Sequence, residues 1–447
     1  MKWHEVFQAK IILSPQEVRR GLRALTWESV ASTGFSSLTS SAFLVAFAAA
    51  LGANNLQIGI LAAVPFITDI MQIPAVWLVE KTRVRKAFVL VLWLVAQLLW
   101  VPVALIPLIM KYPGAGAVSL LIGITAVRGI INAFTNCGWN SWIRDLIPQK
   151  ILGRFIARKE SLATVLGVIL GLGAGYFLDY WNGGAGGPLA YSVVLVFGLV
   201  FFGLVSPALM FFIPEPAMPP RKVKTDSFPR SVVKPLKDKN YRKLLKFLML
   251  WGFASNMAVP FFAVFMLQYL HMSIFSVIIL TTVSEVFTII SLRFWGPFAD
   301  KFGSKTALYF SSSLFLLVLA GWAATAIPGR DGLLFPLLGL LHVFTGIAVA
   351  GITLTAGTLS FKLAPRGKAT PYLTGASLAD SAGIGIGALF AGFLADLLAG
   401  RDFSFTLPAA GEVSLSCYHI LFLLAAVLGL NTLKVLASVH ENGCTRS

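Results

Sequence analysis

Apolar runs of 18 or more residues recur along most of this 447-residue sequence, each long enough to cross a hydrocarbon core about 30 Å thick. Twelve can be separated by their polar breaks: 26–50, 56–79, 87–110, 118–141, 161–179, 189–213, 247–270, 274–297, 306–327, 333–360, 371–396 and 414–437. Such lengths suit tilted helices and are about double what a barrel strand needs. Charged residues make up only 12% of the chain, roughly half the share of a soluble domain. Charges fill the first 25 positions and the first run then continues without a break, so a retained first span is expected rather than a cleaved signal.

A net charge of +17 invites a nucleic-acid reading, but its placement excludes one. With both termini on the cytoplasmic side, 31 of the 36 Lys and Arg fall on that side. They cluster in the N-terminal segment, at 81–86, 144–159, 221–246 and 362–368, at Lys301 and Lys305, and in Lys434 and Arg446 at or beyond the last span. Only Lys111, Arg330 and Arg401 fall on the opposite side, and Arg128 and Arg293 within spans. That is the asymmetry of a multi-pass membrane protein, not of a basic face interleaved with base-stacking aromatics. Cys137, Cys417 and Cys444 have neither metal spacing nor a disulfide pattern, and no cofactor is implied. No Asn-x-Ser/Thr acceptor occurs, compatible with the inner membrane of a bacterium.

A proline- and cation-rich stretch, EPAMPPRKVKTDSFPRSVVKPLKDKN (215–240), follows the sixth run and has no apolar face to bury. The expected organisation is an N-terminal segment (1–25) with an amphipathic helix started by Ser14, Pro15 and Glu17, a six-helix bundle (26–213), and a basic linker (214–246). A second six-helix bundle (247–437) and a tail (438–447) complete it. The halves echo one another. EKTRVRK (80–86) follows the second span as DKFGSKT (300–306) follows the eighth, aligning Glu80 with Asp300 and Arg85 with Lys305. LIP (146–148) leads to GYFLD (175–179) as LAP (363–365) leads to GFLAD (392–396), both running 31 residues from proline to aspartate. Six-span repeats joined by a long basic loop mark one transporter architecture.

With Gly296, Asp300, Lys301, Gly303 and Lys305 in GPFADKFGSK, the sequence resembles the major facilitator superfamily over nearly its whole length. The family's loop motif is Gly-x-x-x-Asp-(Arg/Lys)-x-Gly-x-(Arg/Lys), placed between spans two and three and often echoed between eight and nine. In the first half Val76 and Arg83 replace its glycines and Glu80 its aspartate. The resemblance implies an all-α integral membrane fold: twelve transmembrane helices in two pseudo-symmetric six-helix bundles, with both termini cytoplasmic. It also implies alternating access, in which this cluster latches the cytoplasmic ends of the halves. Local chemistry adds that Gly303 suits a turn with positive φ, that Gly296 would admit a neighbouring helix, and that Asp300 could cap the next helix or pair with a cation. Asp145 and Arg154, in the loop after span four, are candidate gate contacts with Glu80 and Arg85. The plainer reading of Lys301 and Lys305 is that they only fix topology.

Each ionisable group deep in a span costs about 2.5–3.5 kcal/mol on insertion scales, so each needs a reason. Arg128, Glu285 and Asp380 lie near mid-depth, and Asp69 nearer the cytoplasmic third. Arg128, Asn132, Asn136 and Asn140 recur every four residues, as do Glu28, Ser32, Ser36 and Ser40, which draws a polar stripe down one face of spans four and one. In the resembling fold spans one, four, seven and ten line the cavity; span seven adds Asn256 and Gln268, and span ten His342, Thr345 and Thr353. The alternative for the Asn and Ser stripes is hydrogen-bonding glue between helices. Arg128 offers a permanently charged fork for an anionic cargo, or serves as a structural ion pair. Glu285, Asp380 and Asp69 are candidates for carrying protons; His342 is either a coupling group or a packing residue. Gly167, Gly171 and Gly175 match an exporter motif of the family, with Leu172 at its proline. GLGAG (171–175) and GIGIG (383–387) lie inside apolar spans, where small residues let helices pack closely rather than cradle a nucleotide.

The expected function is secondary active transport of a small molecule across the plasma membrane by alternating access, coupled to protons, and not catalysis, because the sequence offers no nucleophile–base pair, metal cluster or nucleotide loop. Its expected partners are a small-molecule substrate, protons and the lipid bilayer, with no nucleic acid, the chain acting as a monomer. Symport, efflux antiport of amphipathic compounds, and a non-transporting sensor or assembly factor remain open.

Overall fold

The computed structural model describes residues 9–39, 41–82, 84–110, 114–148, 151–182, 187–218, 235–327, 331–365, 369–401, 403–407 and 411–441. The stretch 219–234 of the 214–246 linker lies outside them, as do Ser40 and the tail beyond 441. Among the described residues twelve helices are long and apolar enough to span a membrane. They are span one (Pro15–Ala50), two (Asn55–Val79), three (Arg85–Ile109), four (Ala115–Leu146), five (Arg158–Trp181) and six (Gly187–Met210). Then follow seven (Lys239–Tyr269), eight (Ile274–Phe302), nine (Ser304–Ala326), ten (Leu333–Leu363), eleven (Tyr372–Leu398) and twelve (Cys417–Ala437). Side chains such as Val165 and Ile169 (60% exposed each) and Leu317 (68%) cover the outside, as a surface solvated by lipid requires.

The capping box forms as its spacing predicts: Ser14 Oγ accepts from the Glu17 N–H, and the Glu17 carboxylate accepts from the Ser14 N–H, with Pro15 in the first turn. The helix it starts runs unbroken to Leu38, so the basic stretch and the first span are one helix. Several spans depart from α geometry. Span two holds Pro65 and a 3₁₀ turn at Asp69–Met71, and span six a π turn at Leu199–Gly203. Span seven breaks at Met257–Ala258, just after Asn256, and ends in a π turn at Phe265–Tyr269. Backbone groups freed this way are tolerated in a membrane only where protein or water can satisfy them.

The chain divides into two compact units, Met1–Ala53 with Thr68–Thr225, and Asn54–Ile67 with Asp226–Ser447. The first half of span two thus belongs with the second unit. The reason is local. Asp396 accepts from the N–H groups of Asn55 (2.9 Å) and Leu56 (3.1 Å), capping span two, and a Cβ on Gly59 would lie 2.6 Å from the Ala388 carbonyl. Asp396, near the end of span eleven, thus caps the start of a helix some 340 residues earlier in the chain.

In the first unit Leu25, Val89, Trp142, Leu146 and Ile213 form a core cluster. In the second, span eleven packs backbone to backbone on span seven. A Cβ on Gly383 would lie 2.0 Å from the Met249 carbonyl, and one on Gly387 2.3 Å from that of Phe253. The GIGIG glycines are therefore a helix-packing seam. A hairpin, β1 (Phe403–Leu407) with β2 (Gly411–Leu415), separates spans eleven and twelve and pairs Phe403 with Leu415. Span twelve accordingly starts at Cys417, where Ser416 and His419 form a capping box, and not at 414.

Candidate functional site

Arg128 projects from span four onto span three. Its Nε donates to the Ala96 carbonyl (2.9 Å) and its Cζ lies 4.1 Å from the centre of the Trp100 ring. Trp100 is itself fully buried, edge-on to Phe35 at 5.8 Å. A guanidinium over an indole is a favourable cation–π pair, stronger where water is excluded. Among the described residues no carboxylate pairs with Arg128, so its terminal N–H groups keep capacity for an anion. One turn along, Asn132 has a buried Oδ1 without a hydrogen-bond partner; Asn136 and Asn140, further on, are exposed. Asp69 accepts from Gln72 Nε2 at 2.9 Å in the 3₁₀ turn of span two. The neighbouring Thr68 packs on Gly129, where a Cβ would come within 2.5 Å of the hydroxyl.

The stripe of span one divides by burial. Glu28 is 4% exposed and accepts from Ser206 Oγ (2.8 Å), which in turn accepts from Trp93 Nε1 (2.9 Å). Beside it Lys159 donates to Ser29 Oγ (3.0 Å) and pairs with Glu160. Ser32 is half-buried and Ser36 exposed. Glu28 was visible in the stripe, but nothing in the sequence joined it to Ser206, 178 residues away.

In the second unit Asp380 and Asn256 each touch Gly252. A Cβ there would lie 2.9 Å from the Asp380 carbonyl and 3.1 Å from its Oδ1, while Asn256 Nδ2 donates to the Gly252 carbonyl at 3.1 Å. Any side chain at Gly252 would displace Asp380. His342 is buried, its Nδ1 2.8 Å from the Leu338 carbonyl and its ring edge-on to Trp322 at 5.5 Å. Thr345 Oγ1 donates to the Leu341 carbonyl (2.7 Å). Glu285 on span eight and Thr353 on span ten are exposed; Gln268 Oε1 lies 3.1 Å from the Tyr418 hydroxyl.

The charged loops build one device twice. In the first unit Arg85 is fully buried, pairs with Glu215 and Asp145, and donates to the carbonyls of Ser141 and Pro216. The Glu215 carboxylate also takes the N–H groups of Arg85 (2.8 Å) and Lys86 (3.1 Å), capping span three. In the second unit Glu441 takes the N–H groups of Ser304 (3.0 Å) and Lys305 (2.7 Å), capping span nine, and pairs with Lys362. Burial tends to raise the Glu441 carboxyl, but these donors outweigh it and hold the group below its ordinary value.

Two expectations are corrected here. The cap of span nine is Glu441, while Asp300 is exposed and makes no hydrogen bond among the described residues. Among the described residues no neighbouring element comes within 4 Å of a Cβ built on Gly296, so none of them approaches it closely; the seam forms at other glycines. Gly303 does adopt φ +92°, Lys305 Nζ donates to the Ala437 carbonyl, and Lys301 lies over the Phe302 ring. The side chains of Glu80 and Arg154 lie outside the described residues. Glu215 and Glu441 carried no sequence signal beyond being acids shortly after the sixth and twelfth spans.

The sequence model described as Major Facilitator Superfamily matches residues 29–330 and 248–439. No curated protein matches the sequence. Among solved structures, a mutant of the nucleoside transporter NupG superposes with TM-score 0.71 at 12% identity, covering 94% of this chain and 99% of its own. A D-xylose–proton symporter gives 0.69 at 14% identity (94% and 98%). A bacterial homologue of the human lysosomal transporter Spinster gives 0.64 at 16% (96% and 99%). Matched along both halves and built of twelve spans, the chain belongs to the major facilitator superfamily.

Proposed function

We propose that this protein is a secondary active transporter that moves a small anionic or zwitterionic molecule across the membrane by alternating access, coupled to protons. The observation that carries this reading is Arg128: a charge within span four, held by Ala96 and Trp100, with no carboxylate neutralising it among the described residues. Such a group is costly to keep in a membrane and is suited to bind an anion. Asn132 supports it as a further polar contact, and Ser32, Ser36, Asn136, Asn256, His342 and Thr345 are the other candidate substrate contacts. Asp380, packed against Gly252, is the leading candidate for the proton, with Glu285 and Asp69 as alternatives. Arg85, Asp145, Lys301, Gly303 and Lys305 form the candidate gate, joined by Glu215 and Glu441.

Uphill transport by a family that includes a proton symporter is the kind of activity this reading requires. Proteoliposomes holding the purified chain and a pH-sensitive dye test it. A transported anion added outside should move protons across the membrane at a rate that falls at least about tenfold in Asp380→Asn. Substrate-driven proton movement that is unchanged by that substitution would remove Asp380 from the coupling path. An absence of flux for every anion class that the protein binds would favour a non-transporting sensor.

A further inference from the structure

Spans nine and twelve enclose a groove of about 540 Å³ in the second unit, lined by Tyr309, Val427, Leu430, Leu433, Asn431 and Lys434. It lies at the end of the second unit that also holds Lys243, Lys305 and Lys362: Tyr309 is five residues into span nine and Lys434 three residues from the end of span twelve. The wall is apolar and open, with Val427 and Leu430 each 55% exposed. In a chain that spans a bilayer, such a wall is covered by acyl chains.

What distinguishes this groove is its charge. Neighbouring lysines at the same end are committed to protein groups. Lys305 donates to the Ala437 carbonyl (2.7 Å), Lys362 pairs with Glu441 (3.0 Å), and Lys243 donates to the Ser438 carbonyl (3.0 Å). Lys434 makes only a long hydrogen bond to Asn431 Oδ1 (3.3 Å), and no carboxylate among the described residues pairs with it. Its ammonium, three residues from the end of span twelve, stands beside an apolar channel. A second groove, between Phe294, Trp295, Phe298 and Phe310, is of similar kind (about 360 Å³) but contains no cation.

We propose that the groove between spans nine and twelve binds one anionic phospholipid. Its acyl chain lies along Val427, Leu430 and Leu433, and its phosphodiester meets Lys434 and Asn431. Neutral lipids can fill the wall but cannot satisfy the ammonium. The proposal is independent of the transport reading.

The thermal stability of the purified full chain in detergent, titrated with phosphatidylglycerol and with phosphatidylcholine of matched chains, provides the test. Phosphatidylglycerol is expected to bind about fivefold more tightly, the effect of one lysine at a membrane surface, with the preference shrinking at high salt. Lys434→Gln should abolish the preference, Lys434→Arg should keep it, and Lys246→Gln, on a residue that does not line the groove, should leave it intact. Leu430→Trp, which fills the groove, should weaken both lipids. Equal binding of the two lipids by the unmodified chain, or a preference that survives Lys434→Gln, overturns the proposal. So does an equal shift with inorganic phosphate alone.

Discussion

Glu441 accepts two backbone N–H groups at the start of span nine and a lysine from the end of span ten, so one carboxylate ties three spans together. Its depressed pKa sets the sign of a pH effect. A group held lower in the folded state contributes its stability above the unfolded value of about 4.5, and loses it as pH falls through the folded value. Unfolding of Glu441→Gln followed in detergent should show a deficit of about 1 kcal/mol at pH 7, the worth of a helix cap, which closes as the pH is lowered below about 4.5. A deficit independent of pH would mean that shape rather than charge holds the loop. At this scale the sequence was legible where cost was local. Arg128, Glu285 and Asp380 are conspicuous because an apolar run surrounds each of them. Their partners were not legible: Ala96 is 32 residues from Arg128, and Glu215 is 130 from Arg85.

Span two is the element whose role is least readable from its composition. Its polar interruptions suggested only Asp69, yet Pro65 and the 3₁₀ turn at Asp69–Met71 fall where its residues pass from one compact unit to the other, at Ile67 and Thr68. The opening turn is held by Asp396 and the backbone contact of Gly59 with span eleven. Asp396→Ala removes acceptors from two N–H groups at a helix start and should lower stability by about 1–2 kcal/mol, with Asp396→Asn losing less. Equal stability of all three forms in a thermal melt would show that the glycine contact alone secures the segment. The twelve helices themselves were readable because length and hydropathy suffice to specify them, and Gly303 because a tight reversal there calls for positive φ. The β1–β2 hairpin was readable in principle from the alternation in FSFTL, but short strands give a weaker signal than a 20-residue apolar run. Gly296 misled because a glycine marks where a helix can approach, not that one does.

For the molecule as a whole, the repeat is the organising fact. Each unit caps the helix of its third span with a carboxylate that follows its sixth, Glu215 in one and Glu441 in the other. Each also buries a tryptophan against an ionisable residue of the next span, Trp100 with Arg128 and Trp322 with His342. Sequence similarity between the halves is faint, because helix packing and capping constrain residue type at only a few positions, yet those few recur. Within this frame Arg128 breaks the symmetry, a guanidinium where the second unit has His342, and under the proposed function it holds the cargo. The most direct measurement is a thermal-shift screen of the purified chain against grouped metabolites, repeated on Arg128→Ala and Arg128→Lys with folding checked by monodispersity. Bound ligand stabilises by mass action, about 2.7 kcal/mol at a hundred times its dissociation constant. A class of anions should stabilise the unmodified chain, Arg128→Ala should lose those shifts, and Arg128→Lys should keep part of them. A folded Arg128→Ala that retains every shift would contradict it.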